Sequence, residues 1–318
     1  MSDIQVKVVR KTVEAEDIAS FELASIDGKP LPAFSAGSHL DVQIPGGLTR
    51  QYSLCNDASE QHRYRIAVLR DAASRGGSTG MHDAVHQGDL IRISEPKNHF
   101  PLLPAPRTLL FAGGIGVTPL LSMAQRLAAV GADFTLHYCT RSVERTAFRD
   151  EIVASAFASH VSFHFDAGPE AQTLDLKAAL GPGDPGKQLY VCGPTGFIDY
   201  VVATAKARGW HSEQIHLEYF GAEQQDTAGD TGFDIKIAST GKSFAVGAGQ
   251  NIIQVLKDNG IEILTSCEQG VCGTCITRVL QGEPDHRDMY FTDEEKAKHD
   301  QFTPCCSRSK SKTLVLDL

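Results

Sequence analysis

The first hundred positions hold short runs in which apolar and polar residues alternate: 4–9, 39–44, 63–69 and 89–93. A period of two gives each strand one face for a core and one for water. Glycine and proline punctuate these runs at the spacing of an antiparallel barrel. One short helix is expected after Ser78. From residue 108 the pattern changes. A continuous apolar strand (108–112) runs into a helix at 119–130, and further strands follow at 133–138, 161–165 and 188–192. Strands alternating with helices signal a parallel, doubly wound sheet. The last third predicts a hairpin from 233–238 and 242–246, a helix at 252–259 and a closing strand at 313–318. Thr292-Asp293-Glu294-Glu295 has the form of a capping box.

Two segments break the pattern. Pro101, Pro104 and Pro106 interrupt one, and residues 221–232 are polar without periodicity. They place three domains at 1–103, 104–226 and 227–318.

Composition narrows the function classes. The chain has 318 residues, a net charge of −9 and no lysine- or arginine-rich run, so a nucleic-acid partner is not expected. No apolar stretch approaches the ~20 residues that span a bilayer. The N-terminus lacks the apolar core of a signal peptide, which makes a cytoplasmic protein the expectation. There the eight cysteines are not a disulfide framework. Five of them crowd the C-terminal end from Cys267 onward, which points to a metal site.

Cys267, Cys272 and Cys275 are spaced C-x4-C-x2-C, and Cys305 follows after 29 intervening residues. This is the spacing of a plant-type [2Fe–2S] ferredoxin. Three thiolates come from one loop and the fourth from a distant segment. Gly270 and Gly273 let the loop wrap closely, with amides free to face the sulfurs. The competing readings are free core thiols and a structural zinc site, and zinc ribbons prefer paired C-x2-C knuckles. Cys306 adjoins Cys305. If the segment is a strand, the two side chains point opposite ways, and the spacing selects Cys305.

Between the strand ending at Ala112 and its helix lies Gly113-Gly114-Ile115-Gly116-Val117-Thr118-Pro119. Glycines there let phosphates approach the backbone and the helix N-terminus. Pro119 suits a first helical turn. Alone, this G-x-G-x-x-P could equally be a plain tight turn. A second such loop is Cys192-Gly193-Pro194. Cys192 reads as a buried core thiol or as a thiol near a nicotinamide. Arg50-Gln51-Tyr52-Ser53-Leu54 sits on a barrel strand. Arg75-Gly76-Gly77-Ser78 opens the short helix and combines a guanidinium, amides and a hydroxyl into a phosphate cradle. Its bland alternative is a glycine turn.

In this order the motifs resemble the phthalate dioxygenase reductase family over essentially the whole chain. The resemblance implies an antiparallel β-barrel flavin domain, an α/β doubly wound nicotinamide domain and an α+β, ferredoxin-like (β-grasp) domain. It implies that Arg50, Gln51, Tyr52 and Ser53 hold FMN, that Ala67, Val68 and Leu69 border its ring, and that Arg75, Gly76, Gly77 and Ser78 bind its phosphate. Gly114, Gly116, Thr118 and Pro119 would line the NADH site with Cys192, Gly193 and Pro194. Thr118 and Cys192 would stand at the flavin–nicotinamide junction, and Phe220 would cover the flavin. Cys267, Cys272, Cys275 and Cys305 would be the cluster ligands. The implied activity is electron transfer from NADH to FMN, then to [2Fe–2S], then to a separate Rieske-type terminal oxygenase acting on an aromatic acid. Another acceptor, such as a haem monooxygenase or a quinone, is the alternative, as is a redox sensor that turns nothing over. The nucleotide is open to question, because Arg141 and Arg145 follow the second strand, where a guanidinium can bind a 2′-phosphate.

Overall fold

The computed structural model describes residues 4–167, 172–221, 227 and 229–318. By contacts the chain divides into two compact units, Met1–Phe220 and Gly221–Leu318.

The first unit begins with β1 (Ile4–Ala15), β2 (Ile18–Ser25), β3 (His39–Ile44), β4 (Leu48–Ser53) and β5 (Tyr64–Leu69). Then come α1 (Gly77–Ala84) and β6 (Leu90–Ile93). These strands pair antiparallel in the order β4-β3-β6-β1-β2-β5. A bridge between Leu54 and Ile66, just past β4 and on β5, draws the two edges together into a barrel. Val6, Val8, Phe21, Leu23, Leu40, Val42 and Ile66 fill it. β1 runs six residues past the expected strand. It carries register shifts at Val8/Arg10 and Val13/Ala15, so its alternation breaks while its pairing continues.

Then follow β7 (Arg107–Gly113), α2 (Val117–Ala129), β8 (Asp133–Thr140), α3 (Arg149–Ala154) and β9 (Val161–Phe165). The unit closes with α4 (Leu176–Leu180), β10 (Lys187–Gly193), α5 (Thr195–Ala207) and β11 (Ile215–Tyr219). All strand pairs are parallel, in the order β11-β10-β7-β8-β9. α2 packs its buried Leu120, Leu121 and Ala124 in one layer, and α5 packs Ile198 and Val201 in the other. The chain leaves β7 toward β8 and later returns to β10 on β7's other side. The direction of winding therefore reverses between β7 and β10, the position at which such sheets open a crevice. The proline-rich segment before β7 is tied down by Tyr190, whose hydroxyl accepts from the Leu103 amide (2.8 Å) and donates to the Pro101 carbonyl (3.2 Å).

The second unit contains β12 (Phe233–Ile237), β13 (Ser243–Val246), α6 (Ile252–Asp258) and β14 (Thr277–Gln281). It continues with β15 (Pro284–Asp285), α7 (Asp293–Lys296), β16 (Gln301–Phe302), β17 (Arg308–Ser309) and β18 (Thr313–Leu316). The main sheet has the order β13-β12-β18-β14-β16, with β12 parallel to β18 and antiparallel to β13. α6 lays Ile252, Val255 and Leu256 on it, the arrangement of a β-grasp. The capping box at Thr292 forms in both directions. Of the polar segment 221–232, residues 222–226 and 228 lie outside the described residues. The expectation for Cys305-Cys306 needs correction. Residues 304–306 form a turn between β16 and β17, so strand alternation does not separate the two thiols, and their sulfurs are in contact.

Leu110 is fully buried on the central strand of the parallel sheet. Leu110→Ala should lower unfolding free energy by about 2–5 kcal/mol. Leu280→Ala, at a half-exposed position, should change it by no more than about 0.5 kcal/mol. Urea unfolding of the two variants checks the contrast.

Candidate functional site

Three groups of residues converge in the first unit. At the switch point, the ends of β7 and β10 lie so close that side chains cannot enter. A Cβ on Gly116 would stand 2.2 Å from the Cys192 carbonyl oxygen, and one on Gly193 would stand 2.9 Å from the Gly113 Cα. Gly193, Pro194 and the loop Gly114–Gly116 therefore present bare backbone at the carboxyl edge of the sheet. Thr118 and Pro119 fall in the first turn of α2, and both are buried. The Thr118 hydroxyl donates to the Ile115 carbonyl at 3.1 Å and braces the loop.

The barrel meets this loop through β5, which lies against Gly114–Gly116. Ala67 belongs to the same apolar cluster as Val117 and Cys192, while Val68 faces the barrel interior. Leu69 is exposed. On β4, Gln51 donates to Asp41 at 2.9 Å, and Asp41 is paired with Lys97 at 2.5 Å. Tyr52 is half-buried, and that burial pushes its phenol pKa up. Arg50 lies along the start of α1, where a Cβ on Gly77 would meet its Cγ at 2.8 Å. Gly76 is left-handed (φ 90°) and caps that helix, with Arg75 exposed beside it. The Ser78 hydroxyl accepts from the Asp71 amide at 3.1 Å and ties the loop to the helix. A guanidinium packed on a glycine helix N-terminus fits a terminal phosphate.

Motif reading undervalued Glu218 on β11. It is half-buried, and Ser53 Oγ donates to its Oε2 at 3.4 Å. Cys192 stands opposite it in register on β10. Burial raises the Glu218 carboxyl pKa to about 8, and burial beside Glu218 raises the Cys192 thiol pKa as well. The available signal was one carboxylate in the otherwise apolar and aromatic end of β11. Phe220, two residues on, is 39% exposed, a ring not absorbed by any core. Arg145 is engaged by Glu16 at 2.7 Å, whereas Arg141 is exposed. An ion pair between buried Arg65 and exposed Glu151, at 2.6 Å, fastens β5 to α3.

In the second unit the four cysteines gather in two pairs. Cys272 is the thiol neighbour of Cys267, and Cys305 that of Cys275. Two irons need two thiolates each, so pairing, not one group of four, is the arrangement that fits. Among the described residues, no group of three or more His, Cys, Asp or Glu side chains is placed around a single ion. The loop is wound by left-handed backbone at Glu268 (φ 57°), Gly270 (φ 74°) and Gly273 (φ 69°). A Cβ on Gly273 would lie 2.4 Å from the Tyr290 ring. The Gln269 amide donates to Cys267 Sγ at 3.3 Å, and Cys272 Sγ lies 3.3 Å from Thr274 Oγ1. Amides and hydroxyls aimed at sulfur suit ligands that carry extra negative charge on reduction.

Barrel, switch-point crevice and paired thiols together define a modular redox protein. Comparison with known proteins gives its relationships. The family described as "2Fe-2S iron-sulfur cluster binding domain" matches residues 235–310. Vanillate O-demethylase oxidoreductase of Pseudomonas sp. (strain HR199 / DSM 7063) is 53% identical over 316 residues, covering 99% of this chain and 100% of the relative. Phthalate dioxygenase reductase of Burkholderia cepacia is 42% identical, covering 99% and 97%. The solved structure of phthalate dioxygenase reductase, described as modular for electron transfer from pyridine nucleotides to [2Fe–2S], superposes with a TM-score of 0.80 at 42% identity and covers 100% and 98% of the two chains. The chain belongs to the phthalate dioxygenase reductase family and is an oxidoreductase.

Cys305→Ser should lose its iron, because Cys305 completes the ligand spacing, while Cys306→Ser should keep it. Iron assay and visible spectra decide between these outcomes. A raised carboxyl makes a second prediction. With a folded pKa of about 8 against an ordinary 4.5, Glu218 contributes stability that is full below about pH 4.5 and gone once pH passes about 8. Glu218→Gln cannot ionise, so its melting temperature should fall less than the parent's between about pH 5 and pH 8. Parallel melting profiles would show that the carboxyl ionises normally.

Proposed function

We propose that this chain is the NADH-dependent reductase component of an aromatic oxygenase or O-demethylase system, with FMN and one [2Fe–2S] cluster as its cofactors. The two-by-two pairing of Cys267/Cys272 and Cys275/Cys305 carries this reading, since it supplies the one-electron end of the path. FMN, when bound, links a two-electron hydride donor to a one-electron acceptor.

The chain's own residues then have definite tasks. Arg50, Arg75, Gly76, Gly77 and Ser78 hold the flavin phosphate. Gln51, Tyr52, Ser53 and the backbone of Ala67, Val68 and Leu69 border the ring. Gly114, Gly116, Thr118, Pro119, Gly193 and Pro194 receive the nicotinamide nucleotide on bare backbone. Cys192, neutral because it is buried, and Glu218, which keeps its proton at neutral pH, form an uncharged wall at the junction. Ser53 donates to Glu218 Oε2 and fixes that wall. Phe220 covers the flavin ring and moves when the nucleotide enters. Arg145 is held by Glu16, which removes one of the two guanidinium groups that could bind a 2′-phosphate, and this supports NADH. No acid–base triad is required.

The partner is a Rieske-type terminal oxygenase acting on an aromatic acid. Transient docking suits such an electron-transfer encounter. No helix among the described residues is long and apolar enough to cross a membrane, and we place the protein in the cytoplasm.

Reconstitution tests the reading. Reductase with NADH and an aromatic acid should give no product, and adding the cognate oxygenase should give product. Product from the reductase alone would overturn it. Cofactor identity has its own checks. Mass analysis of the released flavin should give FMN, and kcat/KM should favour NADH. Stoichiometric FAD, or a preference for NADPH, reverses the corresponding assignment.

A further inference from the structure

The loop that carries Cys267, Cys272 and Cys275 turns on backbone that is costly to fix. Glu268, Gly270 and Gly273 all have positive φ, and glycine loses more conformational freedom on ordering than any other residue. The support for these turns comes from further along the chain, from Asp288-Met289-Tyr290-Phe291. The Met289 amide donates to the Gly270 carbonyl at 3.1 Å. A Cβ on Gly270 would stand 3.0 Å from the Asp288 Cα, and one on Gly273 would stand 2.4 Å from the Tyr290 ring. One short segment therefore backs both glycines of the loop.

A single side chain shapes that segment. The Asp288 side chain is 0% exposed, and that of His286 is 6% exposed. Asp288 Oδ2 accepts from the amides of Tyr290 (3.2 Å) and Phe291 (2.8 Å), the local bend that aspartate favours. Its Oδ1 lies 3.2 Å from His286 Nδ1. A carboxylate can only accept, so this nitrogen carries the hydrogen. Burying a carboxylate is costly unless its oxygens are bonded, and three N–H donors meet that need here. The Asp288 carbonyl accepts from Lys296 Nζ at 2.7 Å, which ties the bend to α7. Phe291 is buried and packs edge-on against the His286 and Tyr290 rings.

We propose that Asp288 is a positioning residue for the iron–sulfur centre. As a hydrogen-bond acceptor it bends residues 288–291, so that the Met289 amide and the Tyr290 ring hold Gly270 and Gly273, and with them the thiols of the loop. Its acceptor geometry does this, not its charge. Without the acceptor the buried Phe291 amide loses its partner, the bend opens and the glycines regain their freedom. The Gln269 amide, which donates to Cys267 Sγ at 3.3 Å, is aimed by the same winding of the loop. Groups that support metal ligands from behind typically cost about 10–100-fold in metal affinity or activity when removed.

The inference rests on the cluster assignment proposed above, and the experiment separates the two. The intact protein is compared with Asp288→Asn, which keeps an oxygen acceptor without the charge, and with Asp288→Ala, which has no acceptor. Iron content, the rate of iron loss to a chelator and the electron paramagnetic resonance spectrum of the reduced protein are measured for each. The alanine variant should lose iron about tenfold faster than the parent, with shifted g-values. The asparagine variant should match the parent in both. If the alanine variant does not fold, Asp288→Ser takes its place, since its shorter hydroxyl cannot serve both amides, and faster iron loss than in the asparagine variant is again expected. Iron loss at the parent's rate with unchanged g-values overturns the proposal, even if the melting temperature falls, because Asp288 would then serve only the general fold. Equal acceleration in the asparagine and alanine variants also overturns it, since charge and not acceptor geometry would be at work. A parent protein without iron would instead defeat the cluster assignment.

Discussion

The site in the first unit depends on backbone lying against backbone where β7 and β10 end. Gly113, Gly116 and Gly193 meet at distances that leave no room for a Cβ. Parallel pairing from Arg107/Lys187 to Ala112/Cys192 carries the two loops to the same edge. The reversal of winding between these strands keeps any crossover helix from filling the space beyond them. Exposed amides and an open edge are what a phosphate-bearing ligand requires. α2, starting at Val117, adds its N-terminal dipole to the same place.

Around that crevice the structure uses polar groups in two different ways. Arg65 and Glu151 form an ion pair between barrel and sheet, with the guanidinium also over the Phe148 ring at 4.9 Å. Because Glu151 is exposed, solvent screens the attraction and the pair contributes little net stability. Glu218 and Cys192 are instead neutralised by burial. The second unit follows a third logic, in which thiols are gathered in pairs and ringed by amides and hydroxyls.

Much of this was legible in the sequence. Strand 161–165, the hairpin at 233, the helix at 252 and the capping box at Thr292 follow from periodicity and local hydrogen-bonding chemistry, which act over a few residues. Cys267, Cys272 and Cys275 stood out because ligand spacing in one loop is itself local. Tertiary structure decided the rest. β1 ran long because bulges hide the alternation while β2 still pairs with it. Glu218 gained its raised pKa only from what β4 and β10 place around it. The contact of Cys306 with Cys305 depended on a turn where a strand was expected. Short-range pattern determines which residues lie on which face of one element; burial and contact depend on elements far apart in the chain, and only the assembled fold brings those together.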